Sequence, residues 1–187
     1  MARCCGSLVC FLVLLAAIGG VIVWGLKIPI TRYSVTIDSV SGLDPAMDLR
    51  LPALNPAFNL TLRVYSGSVL AHACIAPGMY LEVAYRCVKL AASPTVQQRL
   101  CVGPKETADQ RIVTRGSGVR VPGVVLDSLA EDMRQGLPVF QVTIRQSGGV
   151  DDDDELVVSC GGRRVGAAAA DLGTVCDAFH LCTDVKS

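Results

Sequence analysis

The chain has 187 residues with 17 basic and 17 acidic side chains, so its formal net charge is zero. That balance argues against a nucleic-acid binder, which carries a basic excess to neutralise phosphates. Hydrophobic residues make up 51% and charged ones only 18%, so the chain can bury a core and disorder along its whole length is excluded.

The length suits one domain of ordinary size with an appendage. Residues 1–7 read as a short cytosolic tail and residues 8–26, LVCFLVLLAAIGGVIVWGL, as a single transmembrane helix. Nineteen residues without a charge make about 28 Å of helix, close to a hydrocarbon core of about 30 Å. Twelve of them are Leu, Val, Ile or Phe, which favours insertion by roughly 4 to 7 kcal/mol. Trp24 and Lys27 stand where an interfacial ring and a snorkelling cation belong. A cleaved signal ending near Gly19 is the alternative, which would leave a soluble secreted protein that binds an apolar ligand or protects surfaces. Arg3 on one flank and Lys27 and Arg32 on the other leave the orientation open on charge alone.

Beyond the apolar run, period-two alternation dominates. Tyr33–Asp38, Phe58–Tyr65, Leu81–Cys87 and Phe140–Arg145 each show one apolar and one wet face, as half-buried antiparallel strands require. Weaker strands are expected over Val96–Val102, Arg111–Thr114 and Glu155–Cys160. Turn residues such as Asn55-Pro56, Pro77-Gly78 and Gly148-Gly149 punctuate them. Leu126, Leu129, Ala130 and Met133 fall at helical spacing, between Pro122-Gly123 and Gly136. The expected fold is therefore mainly β: an antiparallel, immunoglobulin or fibronectin-like β-sandwich over residues 31–160 with one short amphipathic helix. The acidic run Asp151–Glu155 reads as a solvated hairpin tip, because it lacks the spacing of a calcium loop. Residues 161–187, rich in Ala and Gly, read as a loose C-terminal segment.

Nine cysteines set the compartment. Cys74, Cys87, Cys101, Cys160, Cys176 and Cys182 form an even set in the body and are disulfide candidates, with Cys87 and Cys101 the first pair to consider because Cys87 falls on the apolar register of its strand. Cys176, His180 and Cys182 fit no usual zinc spacing. Cys4 and Cys5 abut the expected membrane face and are palmitoylation candidates. Asn59-Leu60-Thr61 is a glycosylation sequon with Asn59 on a wet face. Together these favour a body outside the cytosol.

Catalytic patterns are missing. His72 and His180 lie near no nucleophile elbow, and neither a phosphate cradle nor a dinucleotide fingerprint occurs. No catalytic, cofactor-binding or metal residue is assigned and no small-molecule substrate is indicated, so the chain is not expected to be an enzyme.

The order of these features resembles the plant NHL family, the harpin-induced and non-race-specific disease-resistance-like proteins, whose outer domain is of the LEA subgroup two, or WHy, type. Tyr33–Val40, Leu54-Asn55-Pro56 with Phe58–Val64, Tyr80–Leu90, the helix leading into Gly136–Arg145, and Val157–Cys160 carry the likeness. Two departures stand out: Asn55-Pro56-Ala57 replaces the family's Asn-Pro-Asn, and Asp151–Glu155 replaces its basic-aromatic stretch. The resemblance implies a non-enzymatic protein anchored in the plasma membrane, linked to plant defence or stress responses, acting on a protein or surface partner through its extracellular β-sandwich.

Overall fold

A computed structural model describes residues 11, 13–20, 31–147, 155–167 and 175–176. Nine strands, an α-helix and a short 3-10 turn at Asp48–Arg50 make up the described body: β1 Thr31–Ser41, β2 Ala57–Ser66, β3 Ala73–Ile75, β4 Met79–Tyr85, β5 Val88–Ala92, β6 Leu100–Val102, β7 Thr107–Arg115, α1 Gly123–Arg134, β8 Val139–Gln146 and β9 Glu155–Arg164. The alternating runs form β1, β2, β4 and β8, and β2 alternates buried with accessible residues almost without a break. The amphipathic stretch is α1, which buries Leu129 completely.

Hydrogen bonding joins seven strands into one antiparallel sheet in the order β1-β2-β7-β5-β4-β8-β9, with β3 and β6 in a separate two-stranded ribbon. The sheet curls until its edges approach: Ile37 of β1 bridges Val165, and the Gly166 N–H donates to the Ile37 carbonyl at 2.8 Å. The body is thus one nearly closed, barrel-like sheet, where the sequence suggested two stacked sheets. Curling gathers the apolar faces of β1, β2, β4 and β8 around a single core. Phe58 and Phe140 meet edge to face at 5.1 Å within it, and Ile37, Leu60, Leu62, Leu81, Val83 and Ile144 surround them. Burying such rings contributes more than their area alone.

Three segments differ from the sequence expectation. The strand expected to run to Cys87 stops at Tyr85, because Arg86 and Cys87 take positive φ (44° and 66°) in the turn to β5. Only Leu100–Val102 of the stretch 96–102 is a strand, paired with Ala73–Ile75. β9 runs on through Arg164, into the stretch expected to be loose.

Residues 11 and 13–20 are helical, with Phe11, Val13 and Leu14 more than half exposed. Among the described residues, no helix is long and apolar enough to cross a membrane. The expected span also takes in residues 8–10, 12 and 21–26, which lie outside the described residues, as do Cys4, Cys5, His180, Cys182 and Asp151–Asp154.

Candidate functional site: an open slot beside β7

The cysteines are the first site residues to place. Cys74 and Cys101 face each other across the β3–β6 ribbon and are disulfide-bonded, and a second bridge joins Cys160 to Cys176. Cys87 is also in a disulfide, though not with Cys101. The expected Cys87–Cys101 pair fails because Cys87 sits exposed in the turn after β4 instead of on an apolar strand face. With Cys176 held in a disulfide, the three-ligand zinc set is ruled out too. Among the described residues, no three metal-capable side chains cluster.

Asn55 and Pro56 form a corner. The Asn55 side-chain oxygen accepts the Gly118 N–H at 2.9 Å, and the Pro56 carbonyl accepts that of Gly116 at 2.8 Å. The motif pins the β1–β2 connection to the loop after β7, so its visible role is architectural. Asn59 lies exposed in mid-β2, donating to Ser39 Oγ at 2.7 Å, while Thr61 of the sequon donates to Asp38 at 2.7 Å.

The shifted titratable groups are likewise structural. Tyr85 donates its hydroxyl to Asp132 at 2.6 Å and ties α1 to the sheet. Burial first, then this bond, pushes its pKa up to about 12. Arg63 and Asp109 pair in two-pronged fashion across β2 and β7, which holds the Asp109 carboxyl below its ordinary value.

The opening that the sequence did not reveal lies between β7 and β5. These neighbours share a single register pair, Ala92 with Arg115. Beyond it the chain after β5 leaves β7 and follows β4 instead: the Ser93 N–H donates to Leu81, the Val96 N–H to Met79, and the Val96 carbonyl accepts from Gly78. A slot of about 510 Å³ opens in the gap. Ile75, Val96, Leu100 and Ile112 supply its apolar lining, and Gln97, Gln98, Arg99, Gln110 and Arg111 its polar rim. The β3–β6 ribbon with its disulfide stands as the far wall, since Ile75 and Leu100 belong to it.

Along the slot β7 is a free edge. The Ser66–Glu106 and Gly116–Pro56 bonds at its ends fix which residues turn to β2: Ala108, Gln110, Ile112 and Thr114. Antiparallel pairing then turns the backbone groups of Asp109, Arg111 and Val113 away from β2. Among the described residues, no backbone N–H or carbonyl meets them there. Sequence reasoning saw only a weak strand over Arg111–Thr114. The one available signal was that β7 lacks clean alternation: a strand missing a neighbour has no fully buried face, and only Thr114 of β7 is buried.

No family model matches the chain, and no curated protein does. One solved structure, a protein from Archaeoglobus fulgidus, is similar at a TM-score of 0.32 and 13% identity, over 66% of this chain and 86% of that one. A likeness of that size carries no argument about fold or function.

Proposed function

We propose that the chain is a non-enzymatic, single-pass membrane protein of the plasma membrane whose β domain faces the extracellular side and works as a binding module. The observation that carries this reading is the uncharged run at residues 8–26, whose described part is a helix presenting Phe11, Val13, Leu14, Leu15 and Ile18 at least half exposed. Bare aliphatic side chains on a helix call for lipid or a partner around them. The Cys74–Cys101 and Cys160–Cys176 bridges, with Cys87 also disulfide-bonded, support a body in an oxidising compartment, where such bonds persist. An exposed Asn59 within a sequon is compatible with a glycan. The resemblance to NHL proteins supports the same layout, and with it a LEA subgroup two domain and a role in defence or stress responses.

The test is alkaline carbonate extraction of membranes from cells making the full chain, followed by protease treatment of intact cells. The reading requires a pelleting protein whose β domain is cut from outside. A soluble product with a new N-terminus near residue 19 would replace it with the secreted alternative. A full-length soluble product with reduced thiols would end both.

A further inference from the structure

We infer that the slot beside β7 binds an extended segment of another protein by strand addition, selecting acidic residues flanking aliphatic ones. The inference deepens the binding-module reading, but its geometry does not depend on the membrane anchor. An unpaired strand edge is a template for another backbone, and natural proteins normally blunt such edges by covering or bulging them. Here the edge at Asp109, Arg111 and Val113 carries no proline, and it opens onto a slot instead of plain solvent.

The chemistry of the walls selects the occupant. Backbone donors and acceptors at ladder spacing are met in full only by another extended chain. Side chains on one face of that chain would meet Ile75, Val96, Leu100 and Ile112, which favours aliphatic residues at alternate positions. The charges lining the slot are Arg99 and Arg111; both are exposed, and neither has an ion pair among the described residues. Carboxylates on the incoming segment would satisfy them. A second copy of β7 is a poorer occupant: centred on Arg111 it would oppose like charges, and with Asp109 against Arg111 it would compete with the Asp109–Arg63 pair.

The test uses the full-length chain, nitrogen-15 labelled, in detergent micelles, with amide exchange read residue by residue. In the free protein the amides of Asp109, Arg111 and Val113 should exchange fast while those of Gln110 and Ile112 are protected. A short peptide alternating glutamate with valine should slow those three amides by about tenfold or more at saturation. Its lysine-for-glutamate counterpart should bind roughly tenfold more weakly, as expected for losing two exposed charge pairs. The glutamate peptide N-methylated at alternate residues should not bind, because it cannot complete a ladder. Arg111→Glu should narrow the preference between the two peptides, and Arg99→Glu with Arg111→Glu should reverse it. Val113→Pro should abolish binding while keeping the bonds to β2, since the lost N–H points into the slot.

Equal binding of the N-methylated peptide would overturn strand addition, and so would protection of the three amides before any peptide is added. Protection that rises with protein concentration alone would assign the edge to a second copy instead. Failure of membrane extraction with the exchange pattern intact would remove the anchor and leave the slot standing. The converse result would remove only the slot.

Discussion

Replacing the ribbon disulfide, as Cys74→Ala with Cys101→Ala, should weaken the domain by an amount its loop length sets. The bridged residues are 27 apart in sequence. Constraining a loop of that size removes about 12 cal/mol/K of entropy from the unfolded chain, or about 3.5 kcal/mol at room temperature. With a urea dependence of about 2 kcal/mol/M for a domain of this size, the unfolding midpoint should fall by roughly 1.5–2 M. The loss should also be local. β3 and β6 form only three register pairs, so the amides of Ile75, Leu100 and Val102 should lose exchange protection before those of β2 or β8. Urea unfolding followed by fluorescence or circular dichroism, with native-state exchange beside it, reads both effects. A midpoint within about 0.3 M of the unmodified chain would refute the entropic account. Uniform loss of protection across the whole sheet would refute the view that the bridge holds the slot's far wall.

Phe140→Ala should cost about 3–5 kcal/mol, because Phe140 is fully buried against Phe58 and the space cannot collapse without moving both halves of the sheet; the same urea titration measures it. Gly42→Ala should cost about 2 kcal/mol or more: Gly42 has φ +73°, and an added Cβ would press into the Asn55 carbonyl. A smaller loss would show that the Asn55-Pro56 corner yields easily. The native state holds the Tyr85 proton up to about pH 12 whereas an unfolded tyrosine releases it near 10. Its contribution to stability is therefore whole below pH 10 and is lost as pH rises through 12. Tyr85→Phe should flatten that alkaline loss, and denaturation midpoints between pH 9 and pH 12 check it.

Much of the fold is written in the alternation of β1, β2, β4 and β8, because each lays one face on a common core and the other in water. β5 was hidden because its hairpin turns on Arg86 and Cys87, residues that give no glycine or asparagine signal, with an exposed half-cystine at the corner. β3 was hidden by length, since three residues carry no period. Cysteine parity pointed to disulfides, but the pairing of Cys74 with Cys101 follows from a register between strands far apart in sequence. The slot was least legible. It arises where β5 departs from β7, and no residue pattern marks a missing neighbour except the polar, unburied run Thr107–Arg111.

The first strand after the apolar run is stitched on both sides. β1 holds β2 through ten register pairs, and on its other side the Tyr33 carbonyl accepts the Cys176 N–H at 2.7 Å beside the Cys160–Cys176 bridge. On the proposed layout, a pull along β1 from Thr31 would load its ten register pairs with β2 together. Unzipping would take them one at a time. β1 therefore does not peel away as a free edge would, since leaving the domain would break its bonds to both neighbours at once.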